Sequence, residues 1–212
     1  ALTTGNGNTA VGYGSLGSDT LGDRAVAIGK NALAAQNFTS STDNYNVGIG
    51  YSAGSAVTTG TFNTLIGGLA GDAITTASSN TALGYQALTN NTTGESNVAV
   101  GANASWNNST GAQNVTVGVQ ALNAATTASN NTAVGYQSLF TNTTGEENTA
   151  VGTYALYPNT TGASNVAMGY NALGANTTGA NNTGVGVEAL TANTTGASNV
   201  AVGYSALGAN TT

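Results

Sequence analysis

Few side chains in this 212-residue sequence could carry out chemistry. The chain has no histidine and no cysteine, so imidazole bases, thiol nucleophiles, disulfides and the usual zinc and copper sites are unavailable. The acidic residues are Asp19, Asp23, Asp43, Asp72, Glu95, Glu146, Glu147 and Glu188. They follow no fixed spacing, whereas paired catalytic carboxylates or a repeated Ca²⁺ site would need several oxygens brought together. The sequence therefore predicts no catalytic residue, no metal site, no cofactor and no enzymatic activity.

The basic residues are fewer still. Arg24 and Lys30 are the only two, and the formal net charge is -6. Such a chain has no positive surface with which to neutralise phosphates. It also lacks an uninterrupted apolar run long enough to span a membrane as a helix. We expect no nucleic-acid partner and no membrane insertion by this segment.

The composition is unusual for a globular protein. Ala, Thr, Gly and Asn supply well over half of the chain, and Leu, Ile, Val and Phe less than a fifth. So little apolar surface rarely offsets the entropy lost on folding. Disordered chains, however, are usually rich in charge and proline, and here ten residues are charged and Pro158 is the single proline. Something other than a large core must order this chain.

The whole chain, residues 1–212, is one repeat array. Units resembling Asn-Thr-Ala-Val-Gly begin at residues 8, 25, 46, 63, 80, 97, 114, 131, 148, 165, 182 and 199. Successive starts differ by 17 except between 25 and 46, so four residues are inserted within 36–45, where we predict a surface loop. The array begins and ends inside a unit, and we expect it to be a segment of a longer repetitive protein.

The consensus unit, N-[TV]-A-V-G-Y-x-A-L-x-x-N-T-T-G-x-x, favours strands over helices because it combines glycines with β-branched residues. Aliphatic position 4 and Leu at position 9 are predicted to face the interior. This predicted core ladder comprises Val100, Val117, Val134, Val151, Met168, Val185, Val202, Leu122, Leu139 and Leu156. Glycine at position 5 is predicted to form the turns, at Gly101, Gly118, Gly135, Gly152, Gly169, Gly186 and Gly203.

A single unit cannot fold alone. Burying one Val and one Leu gains about 3–6 kcal/mol, whereas ordering the whole unit costs at least about 17 kcal/mol. Stacked units can pair each strand with its equivalents above and below, about 4.8 Å away. The sequence leaves open whether one unit or two make a full turn, since Tyr136, Tyr170 and Tyr204 recur at position 6 of every second unit.

Two polar columns admit both structural and functional interpretations. Asn at positions 1 and 12 can form stacked amide ladders or a polar face that contacts glycans. Adjacent threonines recur at positions 13 and 14, and the candidate surface ladder is Thr143, Thr160, Thr177 and Thr194. A regular threonine array could bind ice, but neighbouring residues in a strand point to opposite sides.

The segments Asn-Thr-Ala-Val-Gly-Tyr-Gln-Ser-Leu (131–139) and Asn-Val-Ala-Val-Gly-Tyr-Ser-Ala-Leu (199–207) carry a family resemblance. The chain resembles the head repeats of YadA-like trimeric autotransporter adhesins and the N-T-A-V-G-Y-x-A-L repeats of phage tail fibres. The resemblance covers nearly the whole chain and implies parallel coils, three chains side by side and a surface fibre. Adhesin head units are typically shorter than the unit of this chain.

From these observations we expect an all-β parallel β-solenoid, or β-roll, of about twelve coils that assembles as a homotrimer. Its expected role is the structural or adhesive shaft or head of an extracellular, cell-surface or virion fibre, with itself and a surface or glycan receptor as partners. The alternatives are a self-assembling extracellular filament subunit and an ice-binding β-solenoid. The sequence does not separate phage fibre from bacterial adhesin.

Overall fold

The computed structural model describes residues 4–211, so Ala1, Leu2, Thr3 and Thr212 of the predicted array lie outside the described residues. The fold is an all-β parallel β-solenoid, and the described residues contain no helix. Each repeat unit contributes one short strand, and turns form the rest of each coil. The predicted fold class is confirmed at this level.

Twelve three-residue strands form one continuous parallel sheet. In the order of the sheet they are β1 (Thr9–Val11), β3 (Val26–Ile28), β5 (Val47–Ile49), β6 (Thr64–Ile66), β7 (Thr81–Leu83), β8 (Val98–Val100), β9 (Val115–Val117), β10 (Thr132–Val134), β11 (Thr149–Val151), β12 (Val166–Met168), β13 (Thr183–Val185) and β14 (Val200–Val202). A second sheet pairs β2 (Gly22–Asp23) with β4 (Thr42–Asp43).

The pairing register shows how much chain makes one turn. Thr132 pairs with Thr149, the equivalent residue of the next unit, and across the insertion Val26 pairs in the same way with Val47. One unit therefore makes one turn, and the hypothesis of two units per turn is wrong. Eleven steps of about 4.8 Å from β1 to β14 give a rod about 53 Å long.

The interior of the coil is narrow and is filled by three columns of side chains. They occupy position 3 in the middle of the strand, position 8 and position 9 of each unit. In the central coils these are Ala133, Ser138 and Leu139, all 0% exposed. The predicted ladder residues Leu122, Leu139 and Leu156 are likewise fully buried.

The predicted inward orientation of position 4 is wrong. Val100, Val117, Val134, Val151, Met168, Val185 and Val202 are all partly or fully exposed. Side chains alternate across a strand, so either position 3 or positions 2 and 4 must face inward. The small residue at position 3 is the one that fits, because so short a coil leaves no room for two branched side chains per strand.

Two amide columns complete the interior. At position 1, the Asn148 backbone N–H donates to Asn131 Oδ1 (2.9 Å), and Asn148 Nδ2 donates to the Gly162 carbonyl (2.9 Å). At position 12, Asn159 Nδ2 donates to Asn142 Oδ1 (2.9 Å) and also to Gly162. All these asparagines are buried. The asparagine columns are internal ladders that satisfy backbone groups at the corners, not a surface that contacts glycans.

The insertion is more than a surface loop. Thr39, Ser40 and Ser41 are exposed, but Gln36 and Phe38 are buried. Gln36 Nε2 donates to Asp19 Oδ2 (2.8 Å), and Asn46 Nδ2 donates to Gln36 Oε1 (2.9 Å). The expectation of a simple loop over 36–45 is thus corrected: its ends continue the internal polar columns, and its last part forms β4.

Left-handed backbone recurs at four places in the coil: positions 5, 7, 9 and 17. At position 5 the glycine φ angles lie between 126° and 141°, and a Cβ on Gly135 would come within 2.6 Å of the Gly152 backbone. Position 9 also has a positive φ, but in the left-handed helical region and with leucine, for example at φ 54° in Leu139. This conformation costs roughly 1–2 kcal/mol for a non-glycine residue, and the buried leucine side chain offsets it.

Candidate functional site

The acidic residues do not converge. Within residues 4–211 no group of three or more acidic side chains could hold a metal ion. Asp19 is fully buried, accepts hydrogen bonds from Gly22 N (3.0 Å) and Gln36 Nε2, and so continues an internal column. Burial raises the pKa of Asp72 above its usual value. These carboxylates have structural partners or stand apart from one another.

One charged cluster lies beside the insertion. Arg24 forms an ion pair with Asp43 and donates a hydrogen bond to Tyr45 Oη (2.8 Å), and the Tyr45 bond is the largest cause of a raised Arg24 pKa. The Ser41 hydroxyl and the Asn6 N–H donate to Asp23 and hold its pKa below the usual range. The cluster lies at the sheet of β2 and β4, where the strand formed by the insertion pairs with the preceding coil.

The candidate threonine ladder is tied to the backbone. The hydroxyls of Thr143, Thr160, Thr177 and Thr194 each donate to the position-13 carbonyl of the next coil, at distances of 3.0, 3.0, 3.1 and 3.3 Å. Thr194 is exposed and the other three are partly buried. The exposed hydroxyls are those of position 14, such as Thr144 and Thr161.

The most regular surface is the outward side of the twelve-stranded sheet, which we call the strand face. It consists of positions 2 and 4 of every unit. Position 2 is Thr9, Val26, Val47, Thr64, Thr81, Val98, Val115, Thr132, Thr149, Val166, Thr183 and Val200. Position 4 is Val11, Ile28, Ile49, Ile66, Leu83, Val100, Val117, Val134, Val151, Met168, Val185 and Val202. Every one of these residues is partly or fully exposed.

The strand face carries no charge in any of its twelve strands. It is about 53 Å long, and two outward columns about 7 Å apart make it roughly 10 Å wide. A stripe of about 500 Å² that is mainly aliphatic is as large as the largest apolar patch on a typical monomer, and such patches are often functional. Tyrosines of position 6 extend one margin, as with Tyr136, Tyr170 and Tyr204.

Comparisons with family models, with curated proteins and with solved structures each found no match. Among the described residues, no helix is long and apolar enough to cross a membrane. The strand face must therefore be interpreted from its own chemistry.

Sequence reasoning placed half of the strand face, position 4, in the interior. The signal that could have corrected it is the small residue at position 3: a position that is Ala in most units suits a narrow interior. Sequence reasoning also gave no weight to the single tryptophan, Trp106, at position 10, where other units have small, polar or other aromatic residues.

A surface position that departs from the repeat in one coil is a candidate site of its own, because the fold does not require the unusual residue there.

Proposed function

We propose that this chain is a structural segment of an extracellular or virion fibre in which three parallel copies turn their strand faces toward a common axis. The observation that carries the proposal is the strand face itself: 24 outward positions in twelve strands, all Thr or aliphatic, with no charge. A solitary solenoid needs no such uniformity on a surface that faces water. Burying the stripe between copies would remove it from solvent and gain the hydrophobic free energy that the narrow coil interior lacks.

The regular register supports a long lateral contact. Every coil rises by about the same step and presents two side chains of the same kind, a Thr or Val at position 2 and an aliphatic residue at position 4, so parallel copies match along their whole length without a special docking element. The eight carboxylates all lie outside the strand face, and chains with a net charge of -6 can therefore meet along it without placing like charges at the centre. Binding along such a rod would be multivalent.

The native mass in solution tests this assembly. Analytical ultracentrifugation of the 212-residue chain should give three times 20.5 kDa, and electron microscopy should show unbranched rods. Replacing Val134 and Val151 together with Asp should yield monomers, since two buried charges would then face the axis. The matched control is Thr144→Asp with Thr161→Asp, which puts the same charges on exposed positions of the same coils. A dimer, or a trimer that survives the valine substitutions, would contradict the proposal.

A monomeric result would favour a different function for the same surface. The strand face would then be a flat array of methyl and hydroxyl groups repeated about every 4.8 Å, the kind of regular surface that the ice-binding hypothesis requires. Thermal hysteresis of the native chain, compared with that of the Val134→Asp and Val151→Asp double variant, would measure ice binding directly.

A further inference from the structure

Positions 7 and 10 lie on the corner that follows the strand face, and position 10 varies more than any other position of the repeat. We call these two columns the variable edge. Over five consecutive units, starting at 80 to 148, they hold mainly amides and aromatic rings. Position 7 is Gln86, Asn103, Gln120, Gln137 and Tyr154, and position 10 is Thr89, Trp106, Asn123, Phe140 and Tyr157. Neither column is part of the interior ladders, so the fold does not require these residues.

A groove opens on the variable edge, with a volume of about 240 Å³. Its lining consists of Trp106 and four amide side chains, Gln86, Asn103, Gln120 and Asn123. This volume lies below the roughly 300–1,000 Å³ of sites that enclose a drug-sized ligand. The groove is therefore suited to one ring of a longer ligand, and it is open so that the rest of the ligand can continue along the surface.

The backbone and neighbouring amides hold this lining in place. Gln86, Asn103 and Gln120 have left-handed φ angles of 56°, 55° and 58°, repeated by the coil geometry. Asn123 Nδ2 donates to the Asn103 carbonyl (3.1 Å), and Gln120 Oε1 accepts from Gln137 Nε2 (2.7 Å). Whereas the backbone N–H groups of Gln86, Asn103 and Gln120 donate to the preceding coil, the side-chain amides of Gln86 and Asn103 and the side-chain nitrogen of Gln120 make no hydrogen bond to other described residues. These groups supply both donors and acceptors to a ligand.

Trp106 is the single tryptophan of the chain. Its indole Nε1 is buried and has no hydrogen-bond partner among the described residues, which is an energetically unfavourable state. In the same coil the usual Leu of position 9 is Ser105, whose hydroxyl pairs with Thr116 Oγ1 (2.8 Å) inside the solenoid. The coil that carries the groove thus departs from the repeat both inside and outside.

Aromatic rings continue the variable edge beyond the groove. Two coils, about 9.6 Å, separate Trp106 from Phe140 in the same column. Phe140 stacks on Tyr157 with centroids 5.3 Å apart and planes at 3°, and Tyr154 meets Tyr157 edge to face at 5.6 Å. Burial among these rings raises the pKa of Tyr154, so its phenol stays neutral. The result is a track of rings and amides parallel to the solenoid axis.

We propose that the groove binds one sugar ring of a neutral, linear glycan, and that the rings from Phe140 to Tyr157 contact the following sugars. A pyranose presents an apolar face of C–H groups, which suits an indole or phenyl ring, and hydroxyls that both donate and accept hydrogen bonds, which suit amides. No charged side chain lines the groove, so nothing there would offset the charge of an acidic sugar or a phosphate. The site does not depend on the trimer, because the variable edge lies outside the strand face.

The first test uses Trp106 as its own reporter. The native chain is titrated with cellohexaose, chitohexaose, dextran and galactan, and with heparin as the acidic comparator, while tryptophan emission is followed. We expect a saturable change with at least one neutral probe and none with heparin at the same salt concentration. No change with any neutral probe, or a stronger response to heparin, would overturn the proposal, as would capture of unglycosylated peptides alone on a mixed peptide and glycan array.

Calorimetry with the responding probe then tests the residues. Trp106→Ala should weaken binding by up to about tenfold, the scale of one lost aromatic contact, and Asn123→Ala by a few-fold. Phe140→Ala should weaken binding of the hexasaccharide more than that of the monosaccharide. Tyr51→Ala is the control, because it removes an exposed tyrosine outside the groove. Equal affinity of the native chain and Trp106→Ala would refute the assignment.

The fibre proposal and the glycan proposal can fail separately. The double variant Val134→Asp with Val151→Asp, which we expect to be monomeric, should bind the responding sugar with unchanged affinity per chain. A loss of sugar binding on dissociation would show that the groove needs a neighbouring copy, which contradicts the site proposed here. Sugar binding by a native chain that is monomeric would support the glycan site and contradict the trimer.

Discussion

Ala133 and Val134 are neighbours in one strand, and their columns are almost equally regular along the chain, but they meet opposite environments. Position 3 is fully buried from Ala27 through Ala167, whereas position 4 is nowhere buried. The first column is kept small by the width of the coil. The second is kept aliphatic although the isolated chain places it in water, so its regularity has to come from something outside the coil.

This difference teaches that regularity in a repeat has two separate causes. Interior columns are constrained by sterics and by hydrogen bonds between coils, as with Leu139 and Asn148. Outward columns are constrained by what touches them. The variants below separate the two causes, because substitutions in the interior should change the stability of a single chain, and substitutions on the strand face should change association and little else.

The largest effect on stability is expected from truncating the interior. Leu139→Ala leaves a cavity at a fully buried position, and such substitutions cost about 2–5 kcal/mol. Val134→Ala, in the same coil but partly exposed, should cost less than about 1 kcal/mol in dilute solution. Urea denaturation followed by circular dichroism, at concentrations where the chain is monomeric, measures both. Equal losses of unfolding free energy for the two variants would contradict the assignment of Leu139 to the interior and Val134 to the surface.

A comparable but smaller loss is expected in the amide ladder. Asn148→Ala removes the acceptor for the Asn165 N–H (3.0 Å), which is left unsatisfied. It also removes one of two donors to the Gly162 carbonyl, which keeps the bond from Asn159. One unsatisfied buried group costs about 1–3 kcal/mol. Hydrogen exchange should show lost protection at the Asn165 amide and its neighbours, with distant coils near Val47 unchanged, because each coil contacts only adjacent coils. Uniform loss of protection along the array would argue against a column of local bonds.

The constant repeat spacing was enough to predict the parallel solenoid, because identical units that cannot fold alone must stack on one another. It was not enough to orient the strand. In Thr132–Val134 an apolar side chain faces inward in either orientation, Ala133 in one and Val134 in the other. Only the narrow width of the folded coil excludes the orientation with Thr132 and Val134 inside. The groove at Trp106 was not predicted for another reason. The sequence analysis relied on residues common to all units, whereas the groove is formed by residues at the variable positions 7 and 10 of a few units.

Enlarging the strand on its two sides should give unequal results. Ala150→Val adds two methyl groups at a position that is 0% exposed, and overpacking costs about 1–3 kcal/mol. Thr149→Val, the adjacent outward change, matches the valine that other units carry at position 2 and should be neutral within about 0.5 kcal/mol. Thermal melts of dilute samples compare them. If Ala150→Val does not lower the melting temperature, the coil interior has more free space than the structure shows.

The smallest expected change is a gain in stability, at a corner that lies outside both columns. Ser96 is exposed and has a φ of 58°. Glycine adopts that region without the roughly 1–2 kcal/mol strain of a side chain but loses more entropy on folding, by about 0.5–1 kcal/mol, so Ser96→Gly should stabilise the chain by up to about 1 kcal/mol. Thr93→Gly, at an exposed position of the same coil without positive φ, should destabilise it. If the two substitutions change the free energy of unfolding, measured by urea denaturation, in opposite directions, the backbone strain at Ser96 is not offset by its side chain, which makes no hydrogen bond to a described neighbour. If both substitutions destabilise the chain, the Ser96 side chain contributes as much stability as the strain removes.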